Sequence, residues 1–131
     1  MKNFFLYGKT HTGKRRKDNQ DTFHCSRLWD DDKALLLVVD GVGGYAGGDK
    51  AASIAREGIE EYMKKPKGDI LTMLREAVIY ANNRIAEERK SDPALSEMCC
   101  VLTVVVADTS GGLFHFVHVG DTRLYILNRG Q

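Results

Sequence analysis

Ala34-Leu35-Leu36-Leu37-Val38-Val39-Asp40-Gly41-Val42-Gly43-Gly44 is the stretch that decides how this chain folds. Six consecutive apolar residues rich in branched side chains predict a strand buried on both faces. The glycines behind Asp40 mark a loop. Beyond them, Asp49 to Lys65 has helical periodicity, with Ala52, Ala55, Ile59 and Met63 on one stripe and Pro66 and Gly68 as stops. Asp69 can cap a second helix, in which Leu71, Leu74, Val78, Ala81 and Ile85 share a face as far as about Arg89, before Asp92-Pro93. Val101 to Ala107 is a further buried-type strand, Asp108 to Gly112 a turn, and Leu113 to Val119 a strand. Thr122 to Leu127 reads as another strand, joined to the last through Gly120-Asp121, and Asn128-Arg129-Gly130 as a hairpin turn. Upstream, Phe4 to Lys9 and Thr22 to Leu28 are short strands, with Asp30-Asp31-Asp32-Lys33 as the turn before the central one. Three strands, two helices and three strands predict an α+β fold, with a helix pair on one face of an antiparallel sheet.

The 131 residues suffice for one domain, and 43% hydrophobic content excludes disorder throughout. Nineteen basic and eighteen acidic residues leave a net charge of +1, so no whole-chain electrostatic footprint points to nucleic acid. No apolar run approaches the ~20 residues that span a bilayer, so no membrane partner is expected. Met1 to Tyr7 is too short an apolar stretch for a signal peptide. Cys25, Cys99 and Cys100 are odd in number and lack a C-x-x-C spacing. They read as buried, reduced thiols of a cytoplasmic protein.

Asp40 ends a buried strand, so its carboxylate is held rigidly and suits a hard cation such as Mg²⁺ or Mn²⁺. Gly41 lets the backbone approach a metal or phosphate closely. Spacing alone leaves open a plain turn with a capping aspartate. Gly41 to Ala46 also fits a degenerate G-x-G-x-x-A, but a second helix follows the first where a dinucleotide fold needs a parallel strand. No Gly-Lys-Ser/Thr follows, which excludes a P-loop. Arg16 offers a bidentate fork for a phosphate, with Asp21 five residues on able to reach a metal. The same segment also reads as a solvated basic loop. Gly120-Asp121-Thr122-Arg123 reads first as a turn satisfying its own backbone. His115 and His118, three apart in a strand, are no natural ligand pair, and no G-x-S-x-G elbow is present.

Taken in order, Arg16 with Asp21, Asp40-Gly41-Val42-Gly43-Gly44 opening a helix, and Gly120-Asp121-Thr122-Arg123 resemble the metal-dependent protein phosphatase 2C family. The resemblance runs from about Gly13 to Gly130. It implies a four-layer α-β-β-α sandwich of antiparallel sheets, truncated in this chain. It implies that Arg16 binds the substrate phosphate and that Asp21 and Asp40 serve two Mg²⁺ or Mn²⁺ ions. The carbonyl of Gly41 is implied as a further metal ligand. Gln20 stands where many members have glutamate, and Met98-Cys99-Cys100-Val101 departs from the family's Gly-Thr-Thr-like strand start. The family's later Asp-His, Asp-Gly and Asp-Asn motifs are absent from the 131 residues.

The implied activity is hydrolysis of phosphoserine and phosphothreonine in a phosphorylated protein substrate. Two divalent cations bring four positive charges, of which Asp21 and Asp40 offset two. The expectation is therefore that residues 1–131 are the N-terminal part of such a domain, weakly active or inactive alone, with uncovered apolar surface that favours self-association. Two other classes compete: a non-catalytic relative that binds a partner, and a nucleotide-binding domain.

Overall fold

The computed structural model describes residues 5–15, 19–42 and 47–127. Strands β1 (Asp21–Leu28), β2 (Asp30–Gly41), β3 (Cys100–Asp108) and β4 (Leu113–Val119) form one antiparallel sheet in the order β1-β2-β3-β4. Helices α1 (Gly48–Tyr62) and α2 (Ile70–Ser91) lie between β2 and β3 in sequence and together cover one face of that sheet. This is the α+β layering read from the hydrophobic pattern. Among the described residues it makes one sheet and one helix layer, two of the four layers that the resemblance implies.

Alternation sets the two faces of the sheet. Leu35, Leu37 and Val39 of β2 and Leu102, Val104 and Val106 of β3 point to the helices and are buried. Against them pack Ala51, Ala55 and Ile59 from α1, Met63 at its C-cap, and Met73, Leu74, Ala77 and Ala81 from α2. The small residues bring the two helices together: a side chain on Gly58 would stand 3.3 Å from the Cα of Ala81. The opposite face carries Val38, Phe114 and Phe116, each about half exposed.

Three sequence expectations give way. The chain does not turn over Asp30 to Lys33, because β2 already begins at Asp30 and the reversal falls on Trp29 at φ 59°. A bulky residue with that backbone is strained. It is held there by a tertiary bond, since the Trp29 indole donates to the Met63 carbonyl at 2.7 Å. Phe5 to Lys9 is irregular, and Phe4 lies outside the described residues. Here the chain is placed by packing rather than by a ladder, with Gly8 so near the ring of Phe23 that a Cβ would stand 2.1 Å from it. Thr122 to Leu127 is also irregular. After Gly120, at φ 83°, Thr122 is drawn onto the half-exposed face by hydrogen bonds with Thr103 and His118, so it does not run beside β4. The expected turn at Asn128-Arg129-Gly130 lies outside the described residues.

The cap of α2 carries a pH dependence. The Asp69 side chain accepts from the Thr72 amide at 3.0 Å and the Thr72 hydroxyl at 2.9 Å. These bonds hold its carboxyl below the ordinary value of 3.8. A lowered folded-state value means the cap's contribution is complete above the ordinary range and lost as pH falls through the lowered value. Asp69→Ser retains a capping oxygen without an ionisable group. In acid titrations followed by circular dichroism, the variant should lose this part of the stability decline; identical acid limbs would contradict the assignment.

Candidate metal centre

Asp21 opens β1 and Asp40 stands one residue from the end of β2; in the antiparallel register they are direct partners. Direct partners share a face, so both aspartates lie on the face away from the helices, at one end of the sheet, and both are exposed. Like charges directly opposite each other destabilise a strand pair. A cation between them reverses that term, and two carboxylates make a hard oxygen donor set. No hydrogen bond or ion pair engages the Asp40 carboxylate among the described residues. Nor do three His, Cys, Asp or Glu side chains converge into a metal-holding group among them.

The backbone around the pair is fastened from both sides. The Gly41 amide donates to the Gln20 carbonyl at 3.1 Å, and the Val42 amide to the Cys99 carbonyl at 3.2 Å. A Cβ on Gly41 would lie 2.6 Å from the Gly48 carbonyl oxygen and 2.8 Å from the Gln20 Cβ; one on Gly48 would lie 2.6 Å from the Gln20 Oε1. The first turn of α1 therefore rests on the end of β2 with no room for side chains. Gly43 and Gly44 lie outside the described residues.

Asn19 links this end of the sheet to the preceding loop. Its Oδ1 accepts from the Asp21 amide at 3.0 Å, and its Nδ2 donates to the Thr10 hydroxyl at 2.7 Å. The Asx turn was a signal available in the sequence; the tie to Thr10 was not. Arg16, the expected phosphate ligand, lies outside the described residues. Gly120 reaches the same end: Val101 is the register partner of Asp40, and a Cβ on Gly120 would stand 2.2 Å from the Val101 Cγ1. Tertiary structure thus gathers Asp21, Asp40, Gly41 and the Gly120-Asp121 turn. Cys100, the partner of Gly41, has its thiol pushed up to about 11, chiefly by burial and further by Cys99 and Asp40. Cys99 precedes the strand and contributes its carbonyl.

The sequence model of the protein phosphatase 2C family matches residues 7–131. The chain belongs to that family. It is 30% identical over 124 residues to the serine/threonine protein phosphatase PstP of Mycobacterium tuberculosis, covering 94% of this chain and 23% of that protein. The crystal structure of the PstP catalytic domain in complex with two manganese ions superposes with a TM-score of 0.78 over 94% of this chain and 50% of that one. The serine/threonine phosphatase of S. agalactiae, at 25% identity, gives 0.70 over 88% and 48%. The chain thus spans about a quarter of the curated relative and about half of the solved domains.

The glycine contact is directly testable. Gly41→Ala places a methyl group against a backbone carbonyl that cannot rotate away. It should cost about 1–3 kcal/mol in chemical denaturation. An unchanged midpoint would show that the end of β2 and the start of α1 are not in this contact.

Proposed function

We propose that residues 1–131 form the N-terminal part of a domain that hydrolyses phosphoserine and phosphothreonine in phosphorylated proteins. The observation that carries this reading is the register pairing of Asp21 with Asp40 beside Gly41. These two carboxylates, with the Gly41 carbonyl, would hold Mg²⁺ or Mn²⁺, and Arg16 would bind the substrate phosphate. When bound, two such ions supply a nucleophilic water at neutral pH and charge neutralisation at the phosphoryl oxygens. The manganese-bound structure of PstP supports the choice of metal.

The chain's own residues contribute position. The pairing of β1 with β2 sets the two aspartates directly opposite each other, and the Gly41 and Val42 amide bonds fasten the end of β2 to Gln20 and Cys99. Two carboxylates offset half the charge of two divalent ions, so full activity belongs to a domain that adds further donors. We place the domain in the cytoplasm, in accord with the free thiols of Cys25, Cys99 and Cys100. No helix among the described residues is long and apolar enough to cross a membrane.

Manganese titration of the purified chain, read by the electron paramagnetic resonance of free Mn²⁺, should detect weak binding that Asp40→Asn or Asp21→Asn abolishes. Binding that persists in both variants would refute the assigned ligands. Rapid Mn²⁺-dependent phosphate release from a phosphothreonine peptide by the 131-residue chain, abolished by Asp40→Ala, would instead refute the need for further donors.

The half-exposed Val38, Phe114 and Phe116, with Tyr125 and Leu127 more exposed still, support self-association of the chain. Light scattering should show a mass that rises with concentration. A monomer at high concentration would contradict this.

A further inference from the structure

The helix-bearing side of β1 carries a second cluster of reactive side chains, separate from the carboxylate pair. His24 and Ser26 are two residues apart on this edge strand, paired with the helix-facing Leu37 and Leu35, and so turn away from the face of Asp21 and Asp40. The His24 Nε2 lies 2.8 Å from the Ser26 hydroxyl. The other ring nitrogen, Nδ1, lies 2.7 Å from Glu60 Oε1 on α1. That oxygen is buried and has no aligned hydrogen bond, so the contact is close but out of line. Arg56 Nη1 stands 4.0 Å from the same oxygen.

We propose that this cluster is a nucleophilic site in which Ser26 attacks small activated esters, with His24 as general base and Glu60 as its positioning residue. A hydroxyl is a weak nucleophile unless an adjacent base takes its proton, and the base works best when a third group orients it. In the neutral tautomer protonated on Nδ1, toward Glu60, the Nε2 lone pair is available to the Ser26 proton. Contacts of this kind are commonly loose before a substrate binds and tighten with it.

The three side chains line a hollow of about 280 Å³ with Leu35, Trp29 and Met63 as apolar walls. Its size and lining suit a short acyl group. Arg27 and Lys64 line the same hollow, so the cationic groups available to an oxyanion there are theirs. As the bond from Ser26 Oγ to the acyl carbon forms, the hydroxyl proton passes to His24 Nε2. The ester C–O bond then breaks and the departing alkoxide takes that proton. Water attacks the acyl-serine by the same route, releasing the carboxylic acid and restoring the hydroxyl. No metal takes part.

The test incubates the 131-residue chain with p-nitrophenyl acetate in the presence of a chelator. It follows nitrophenolate release and maps the acetyl group by mass spectrometry of peptides. The expected result is acetylation at Ser26 about a hundredfold faster than in the urea-unfolded chain. Ser26→Ala should abolish it, and His24→Gln should slow it by a similar factor with the circular dichroism unchanged. Glu60→Gln should lower the maximal rate while leaving the ester concentration for half-maximal rate unaltered. A fluorophosphonate probe on the unsubstituted chain gives a second measurement that needs no variant, and it should label Ser26 and block acetylation. Acetyl groups spread over lysines, labelling that requires metal, an unlabelled Ser26 in the probe experiment, or an undiminished rate in a folded His24→Gln chain would each overturn the proposal.

Discussion

The close approach of backbone to backbone where β2 ends is the constraint on which the rest of this structure depends. Gly41 meets the carbonyl of Gly48 and the side chain of Gln20 at distances that no Cβ tolerates. This contact brings the start of α1 down onto the sheet, and the direction of α1 places Ala51, Ala55 and Ile59 over β2. It also determines where Asp40 sits, one residue before the tightest point and opposite Asp21. The site and the core are therefore parts of one packing solution.

The two faces of the sheet have different physical histories. On the helix side, alternating residues of β2 and β3 meet amphipathic helices with small residues at the crossing, and the result is a buried apolar core. The other side combines half-exposed aromatic and branched residues with the facing carboxylates and the Thr103–His118–Thr122 hydrogen bonds. A face with that mixture is only partly satisfied by the described residues. The chain matches about half of the PstP catalytic domain and of the S. agalactiae phosphatase.

Much of the fold was legible in the sequence because the signals were local and repeated. Two helices announced themselves by 3–4 spacing and by a capping aspartate, and β2 and β3 by unbroken apolar runs. The failures were at places where a distant residue overrules local preference. Three consecutive aspartates resemble a turn, yet the Trp29 indole, bonded to the Met63 carbonyl across 34 positions of sequence, moves the reversal upstream of them. The segment after Gly120 has strand-like composition, but Thr122 finds its partners on the sheet face. In the site, Asp21, Asp40 and Gly41 could be singled out by residue type and order. The parts played by Asn19, Gln20 and the Cys99 carbonyl could not, since each acts through a contact that spacing does not encode.

By itself the sequence determined the class of fold, the order of its main elements and the carboxylates that a family resemblance marks for metal. Periodicity, capping and motif order are properties of neighbouring residues and survive without coordinates. Only the tertiary structure decided that Asp21 faces Asp40, that Gly48 rests on Gly41, and that His24, Ser26 and Glu60 meet on the other side of β1. Those relations depend on strand register and on how a helix is seated. Register and seating arise from the packing of the whole chain, in which a shift of one residue would turn every side chain to the opposite face.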